Sequence, residues 1–137
     1  MKPVNLFFLI LMPGLFLAPG GCTTDTTSPE AVSTPVVANT TNSFGFSVIA
    51  RSFTYDQTYT LDFTGDSLDI GVAVTGYRGG TGEFSLFDAQ GRAFYTRDLS
   101  QNIAEGNAKM TGAVPARAVV KFTGFSGIVS LGVGISR

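Results

Sequence analysis

Apolar side chains alternate with smaller or polar ones along most of the chain beyond residue 43, and this period of two limits the fold more than any other feature. Successive side chains of a β-strand point to opposite faces of a sheet, so the alternation is typical of half-buried strands. The alternating apolar residues are Phe44, Phe46, Val48, Tyr59, Leu61, Phe63, Leu68, Ile70, Val72, Val74, Phe84, Leu86, Ala118, Val120, Phe122, Val129, Leu131, Val133 and Ile135. No stretch repeats with the period of an amphipathic helix, so the sequence predicts an all-β domain.

Clusters of glycine and other turn-forming residues separate the predicted strands. Residues 88–91 and 124–127 each end in glycine and predict tight hairpin turns, while residues 76–82 predict a long glycine-rich loop. Residues 101–109 fit a turn, a short helix or a frayed strand equally well. Seven or eight short strands within residues 44–137 match an antiparallel, jelly-roll-like β-sandwich.

The first 21 residues have the order of features that is typical of a secretory signal peptide. Lys2 lies beside the amino terminus, an apolar stretch follows at residues 6–18, and the small residues Gly20 and Gly21 close the segment. The apolar stretch is shorter than the roughly 20 residues that a helix needs to cross a bilayer. We therefore expect residues 1–21 to be an export signal.

The residue after this segment is Cys22, the only cysteine of the chain. The run Gly20-Gly21-Cys22 resembles the lipobox of bacterial lipoproteins, although Pro19 stands where that pattern has an aliphatic residue. The resemblance implies a diacylglyceryl thioether on Cys22, an acyl chain such as palmitate on its amine, and anchoring to a membrane of the cell envelope. Because Thr23 rather than aspartate follows, it also implies the outer membrane in a Gram-negative host.

Residues 22–43 have the composition of a linker. Thr, Ser, Pro, Asn and Ala dominate, and no helical or alternating period survives. Such a segment cannot bury enough apolar surface to offset the entropy that is lost on ordering. We expect a lipidated amino terminus followed by a disordered spacer. The chain is thus divided into a lipoprotein signal peptide at 1–21, this linker at 22–43 and a β-sandwich domain at 44–137.

Composition excludes several classes of function. The chain has no histidine and one cysteine, which rules out His-dependent catalytic triads, the common zinc sites and a disulfide within one chain. A net charge of -1 argues against nucleic-acid partners, which need a basic face. Glu83 could pair with an aspartate for glycoside hydrolysis, but it adjoins the glycine-rich loop and nothing marks a cleft. We expect no enzyme activity and no cofactor.

Three aspartates, Asp62, Asp66 and Asp69, form the densest group of carboxylates in the sequence. Calcium prefers such hard oxygen ligands, but aspartate beside glycine is also ordinary turn chemistry, and the spacing lacks the regularity of a calcium loop. The sequence therefore predicts no metal site, and calcium binding by these three residues stays open.

Tyr77 and Arg78 are the candidate ligand-binding residues, because they lie within the glycine-rich loop. A tyrosine ring can stack on a sugar, and arginine offers several hydrogen-bond donors. The alternative is that Tyr77 packs at the rim of the sandwich. Residues 84–91 and 119–127 resemble parts of the pre-peptidase C-terminal and carbohydrate-binding-like modules of exported bacterial proteins. That resemblance implies a β-sandwich and assigns no functional residue.

These observations predict a lipid-anchored, non-catalytic protein of the cell envelope. We expect its sandwich to act as a binding or interaction module for an envelope protein or a glycan. The alternative is a structural subunit of an envelope or surface assembly that self-associates by edge-strand pairing, with residues 128–135 as the pairing strand.

Overall fold

The computed structural model describes residues 33–137, which form six strands and no helix. The strands are β1 (Val36–Thr40), β2 (Ser43–Thr60), β3 (Leu68–Phe87), β4 (Ala93–Asp98), β5 (Ile103–Met110) and β6 (Arg117–Ile135). All neighbours are antiparallel in the order β1-β2-β6-β3-β4, and β5 also pairs with β3. Within this part of the chain, no helix could span a membrane. The predicted export signal, Cys22 and residues 23–32 lie outside the described residues.

Strands β2, β3 and β6 are 18, 20 and 19 residues long, about three times the length of an ordinary strand. Their pairing is interrupted near the middle, between Ala50 and Tyr55 in β2 and between Thr75 and Thr81 in β3. Each long strand therefore contributes one half to each of two layers. Layer A consists of β1, β5 and residues 43–50, 68–75 and 127–135; layer B consists of β4 and residues 53–60, 79–87 and 117–126.

Aromatic contacts join the inner faces of the two layers. Phe44 of layer A stacks on Phe84 of layer B with ring centroids 6.3 Å apart, and Phe46 stacks on Phe122 at 6.1 Å. The largest fully buried side chains come from both layers and from Leu99, which follows β4: Phe44, Phe46, Phe84, Phe122, Phe125, Leu68, Ile70, Leu86, Leu99, Val74, Val120 and Val129. The hydrophobic core thus lies between two packed sheets, as in a β-sandwich.

Positive backbone φ angles mark the bends between the layers. Gly80 of β3 (φ 82°) lies directly against Gly124 of β6 (φ 57°). The approach is so close that a Cβ added at Gly80 would lie 2.3 Å from the carbonyl oxygen of Gly124. Ser52 of β2 also has a positive φ, 48°, which side chains of L-residues rarely allow. Its backbone N–H donates to Ser126 Oγ at 2.9 Å, so a side-chain hydroxyl replaces the interrupted backbone pairing there.

Strand β1 lies inside the segment that was expected to be a disordered linker, and that part of the prediction is wrong. It pairs with residues 43–47 across a two-residue turn in which Asn42 has a φ of 63°. Asn42 Oδ1 accepts the backbone N–H of Thr64 at 2.7 Å, and Thr41 Oγ1 donates to the carboxylate of Asp62 at 2.9 Å. Polar linker-like residues are ordered here by partners about 20 positions away, which composition alone does not reveal.

The all-β, antiparallel class is confirmed, but the turns differ from those expected. Residues 76–82 are not a loop and residues 124–127 are not a hairpin; both are bends inside continuous strands. The seven or eight short strands expected within residues 44–137 correspond to five strands, β2 to β6, of which three are long and bend into two halves each. Residues 103–110 form a strand, and the predicted hairpin at 88–91 joins β3 to β4.

The alternative function, a self-associating structural subunit, placed its free pairing edge at residues 128–135, and the structure contradicts that placement. They belong to β6, which pairs with β2 on one side and with β3 on the other. A strand with both neighbours in place has no unpaired backbone groups to offer to another chain.

Asp88 organises the turn between β3 and β4. One carboxylate oxygen accepts the backbone N–H groups of Gln90 and Arg92 at 3.0 and 2.9 Å, and the other accepts the Arg92 side chain at 2.9 Å. These bonds, that of the Arg92 backbone first, hold the pKa of Asp88 below its usual range, while desolvation acts in the opposite direction.

The turn at Asp88 should weaken in acid. Because the pKa is lower in the folded state than in the unfolded state, the stabilisation is complete above the unfolded value of about 3.9 and is lost as the pH falls through the folded value. Urea denaturation at a series of pH values measures this. The stability gap between the wild type and Asp88→Asn should be largest near neutral pH and should shrink below about pH 4. A gap that does not vary with pH would contradict the assignment.

Replacing two glycines by alanine tests whether the bend requires glycine, because Gly80 lies in the bend and Gly132 does not. Gly80→Ala places a Cβ against the Gly124 backbone at positive φ, so we expect a loss of about 2–4 kcal/mol in the free energy of unfolding. At Gly132 an added Cβ meets no atom within 4 Å, and Gly132→Ala should leave stability unchanged or raise it by about 0.5–1 kcal/mol. Denaturant unfolding measures both changes. Equal losses in the free energy of unfolding would contradict the role given to Gly80 in the bend.

Candidate interaction surface

The outer face of layer A is formed by the residues that alternate with its buried core. Strand pairing aligns small residues in rows across it. One row is Ala38, Gly45, Gly132, Gly71 and Asn107, and the next is Val36, Ser47, Ser130 and Ala73. The ion pair between Lys109 and Asp69, 3.5 Å apart, lies beyond the first row. Because these residues are small, the middle of this face is a shallow depression lined by Gly45, Gly71 and Gly132.

The glycines of this face are not demanded by packing within the domain. A Cβ added at Gly132 or Gly134 would meet no atom within 4 Å, and neither residue has a positive φ. At Gly45 the nearest atoms would be 3.9 Å away, which is ordinary contact. Glycine inside a strand lowers stability, and it is often found where another surface approaches the backbone closely. The face is therefore suited to contact with something outside the domain.

Three aliphatic side chains project from this face near the bend between the layers. They are Val36 (69% exposed), Ile49 (69%) and Ile128 (48%). Ile49 and Ile128 are direct cross-strand partners, and all three line one shallow groove with Thr34 and Arg51. We call these three side chains the apolar corner. Contiguous exposed apolar surface is typical of interaction sites.

The sequence contains a signal for the apolar corner in the phase of its alternation. Strand β2 buries Phe44, Phe46 and Val48, so Ile49 falls in phase with the exposed Ser47. An isoleucine on the polar side of an alternating strand has no role in the core. The sequence analysis considered residue types that catalyse reactions or bind metals and ligands, and an aliphatic side chain, which neither titrates nor coordinates a metal, is not among them.

One arginine, Arg51, lines the groove of the apolar corner, and a second, Arg78, lies on the same bend. Arg51 follows Ala50, whose cross-strand partner is Gly127, and Arg78 precedes Gly79, whose partner is Ser126. Both arginines are exposed. The three stretches that meet at this bend, residues 47–52, 75–80 and 125–130, contain these two arginines and neither aspartate nor glutamate. This end of the domain is therefore locally basic, in a chain whose net charge is -1.

The described part of the chain begins beside the apolar corner. Ser33 Oγ accepts the backbone N–H of Arg51 at 3.0 Å, and Thr34 lines the same groove as the corner. The chain then continues directly into β1, whose first residue, Val36, is part of the corner. Whatever precedes residue 33 is therefore attached at this end of the domain.

Tyr77 and Arg78, the predicted ligand-binding residues, have different surroundings. The Tyr77 ring packs on Phe125 with centroids 5.7 Å apart, and its hydroxyl donates to the carbonyl of Gly80 at 2.7 Å. Its backbone N–H donates to Asn102 Oδ1 at 2.9 Å. Tyr77 thus contributes to the bend of β3, as the alternative interpretation expected, while the Arg78 side chain is exposed on the same bend.

The three aspartates considered for calcium do not form one cluster. Among residues 33–137, no group of three or more acidic or thiol side chains is placed to hold a metal ion. Asp62 accepts from Thr41, and Asp69 is paired with Lys109. Cys22, the predicted lipid attachment site, lies outside the described residues.

The carboxylate considered for catalysis lies on the outer face of layer B. Cross-strand pairing places Asp56, Lys121, Glu83 and Asp98 in one row, and all four side chains are exposed. Bonds from Ser100, its side chain first and then its backbone N–H, lower the pKa of Asp98. Glu83, Asp98 and Lys121 line a shallow, open depression, so the row is a solvent-exposed charged strip.

A tyrosine pair lies at the other side of the same layer. The hydroxyl groups of Tyr55 and Tyr59 share a hydrogen bond, and both rings pack against the core. Burial, followed by the bond to Tyr55, raises the pKa of Tyr59. Tyr59 therefore keeps its proton under ordinary conditions and serves packing.

No family model matches the chain, and no curated protein matches it. Among solved structures, the enzymatically active domain of tailspike protein 4 of bacteriophage CBA120 is similar to 76% of this chain, with 15% identity and a TM-score of 0.37. The similar region spans 18% of that chain. A structure of Bacillus endospore appendages, described as disulfide-linked pili, is similar over 76% of this chain and 93% of its own, with 11% identity and a TM-score of 0.40. Neither likeness is close enough to transfer a function.

Substitutions at positions 77 and 78 should separate a packing role from a surface role. Tyr77→Ala removes the ring contact with Phe125 and the bond to Gly80, so we expect the free energy of unfolding to fall by about 2–4 kcal/mol. Arg78→Ala, its exposed neighbour, should change stability by less than about 0.5 kcal/mol. Denaturant unfolding measures both. A Tyr77→Ala variant as stable as the wild type would return Tyr77 to the list of ligand-binding candidates.

Proposed function

We propose that this protein is a lipid-anchored, non-catalytic protein of the cell envelope. Its β-sandwich presents the outer face of layer A as a preformed interaction surface for another envelope component. In a Gram-negative host, the expected location is the outer membrane.

The observation that carries the proposal is the position of Cys22. It is the only cysteine of the chain, it directly follows a segment with the features of an export signal, and the run Gly20-Gly21-Cys22 resembles a lipobox. Eleven positions separate Cys22 from Ser33, where the described fold begins. Two or three acyl chains on one residue are enough for stable attachment to a bilayer.

The geometry of the domain supports an interaction role. The outer face of layer A combines small residues with the exposed apolar corner, and its glycines are not explained by internal packing. This chemistry fits an extended apolar or protein surface better than a glycan, because the aromatic residue considered for stacking on sugars, Tyr77, is packed on Phe125.

A second candidate function is supported by strand β1. All five of its residues are exposed, and it pairs with β2 alone, so its outer edge is open to another strand. A structural subunit could assemble through this edge instead of through residues 128–135. Light scattering on the unlipidated chain distinguishes the two candidates, since association that grows with concentration favours the structural subunit and a stable monomer favours the interaction module.

The lipid anchor is tested by Cys22→Ala. We expect the wild-type chain to fractionate with membranes and the variant to be released by washing, because the thiol that carries the diacylglyceryl group is missing. Thr23→Ala, a matched change at the next position, should leave membrane retention intact. Intact-mass measurement of the mature wild-type chain should show the added lipid at residue 22. A bare thiol there, or retention of Cys22→Ala on membranes, would overturn the proposal.

A further inference from the structure

The apolar corner projects beyond the sheet around it. Ile49 and Ile128 lie directly opposite each other, and the next residues on the same face are Ser47 and Ser130. Because these neighbours are small, a flat surface that approaches layer A at this end meets the aliphatic side chains first. Side chains with this exposure are able to enter an apolar medium while the backbone stays outside it.

The segment that leads from Cys22 joins the domain beside this corner, so a lipid on Cys22 would hold the corner near the bilayer. Ser33 is bonded to the backbone of Arg51 beside the corner, and 11 residue steps separate it from Cys22. Such a segment spans at most roughly 40 Å when fully extended. A lipid on Cys22 therefore keeps the corner within this distance of the bilayer, and tethering raises the local concentration enough for a weak contact to be populated.

The positive charge near the corner favours contact with an anionic bilayer. Arg51 lines the groove of the corner, Arg78 lies on the same bend, and the three stretches that form this bend contain no carboxylate. Asp25 and Glu30 lie in the segment that joins this end to Cys22. Layer A has two carboxylates away from Ile128: Asp69 pairs with Gly134 near the end of β6, and Glu105 belongs to β5, which β3 separates from β6. Arginines beside exposed aliphatic side chains are the combination that favours binding at the surface of an anionic bilayer.

We propose that the apolar corner docks on the bilayer that holds the Cys22 lipid, with Val36, Ile49 and Ile128 entering the interface and Arg51 and Arg78 facing anionic headgroups. This inference rests on the proposed lipid anchor and names the partner of the layer A surface. The domain then lies against the membrane with a fixed orientation instead of swinging freely on its linker.

The test uses the full, lipidated chain. With Cys22 consumed by the thioether, an introduced cysteine is the only thiol available for a polarity-sensitive fluorophore. Ile49→Cys places the label on the corner, and Thr58→Cys places it on the same strand in layer B, where Thr58 is exposed. Both proteins are reconstituted in vesicles of phosphatidylcholine with phosphatidylglycerol. Emission is then followed with a brominated lipid as quencher and with iodide in the water.

We expect the label at position 49 to shift to the blue and to be quenched severalfold more by the brominated lipid than the label at position 58, which iodide should quench instead. Removing both charges in Arg51→Gln/Arg78→Gln should reduce lipid quenching at position 49. Lys121→Gln, which removes one charge from the layer B face, should not change it. Omitting phosphatidylglycerol should have the same effect as the double arginine variant.

Other outcomes overturn the inference in distinguishable ways. If the chains float with the vesicles but positions 49 and 58 respond alike, the anchor is correct and the docking is wrong. If position 49 is shielded from both quenchers and the protein has the mass of a dimer, a second copy covers the corner. If the chains do not float and Cys22 reacts with the fluorophore, the anchor itself fails, and the docking fails with it.

Discussion

Three strands of nearly 20 residues can form two packed layers only if all of them bend at the same level, and the contact between Gly80 and Gly124 is the tightest point of that bend. A side chain at Gly80 would push β3 away from β6 where the strands fold over. Directly beneath, Phe122 and Phe125 pack with centroids 4.8 Å apart and fill the fold between the layers. Since the same strands supply both layers, the two sheets need no separate connections, and a disturbance at the bend reaches the core on both sides.

This architecture gives the domain two outer faces of different chemistry. On layer A the central row consists of alanine, glycines and an asparagine, with aliphatic side chains at one end. On layer B the corresponding row carries Asp56, Lys121, Glu83 and Asp98. In the proposed docking of the apolar corner on a bilayer, the charged strip of layer B faces water. On this proposal, the lipid anchor and the apolar corner lie on the membrane side of the domain, and the charged strip lies on its solvent side.

Much of the core could be predicted from the sequence, because alternation is a local property. Phe44, Phe84 and Val120 were all expected inside and are fully buried. The bends could not be predicted, since a glycine with positive φ serves a reversal of the chain and a kink equally well. What decides between them is that β6 continues beside both halves of β3, a contact between residues far apart in the chain. Strand β1 escaped prediction for a similar reason, because distant partners order its polar residues. Of the site residues, Cys22 is proposed as the lipid attachment site from the sequence alone. Ile49 was not predicted as a site residue, because an aliphatic side chain carries no reactive or ligand-binding group.

The edge position of β1 has a mechanical consequence. Any force transmitted through the residues before Ser33 reaches the domain at the Ser33–Arg51 bond and then at a strand that has one neighbour and no buried side chain. Because these contacts are few and exposed, we expect them to break under load before the core is disturbed. Release of residues 33–40 adds roughly 25–30 Å of extended chain. The first strand thus acts as an extensible coupling that lengthens under tension while the remaining sheets stay folded.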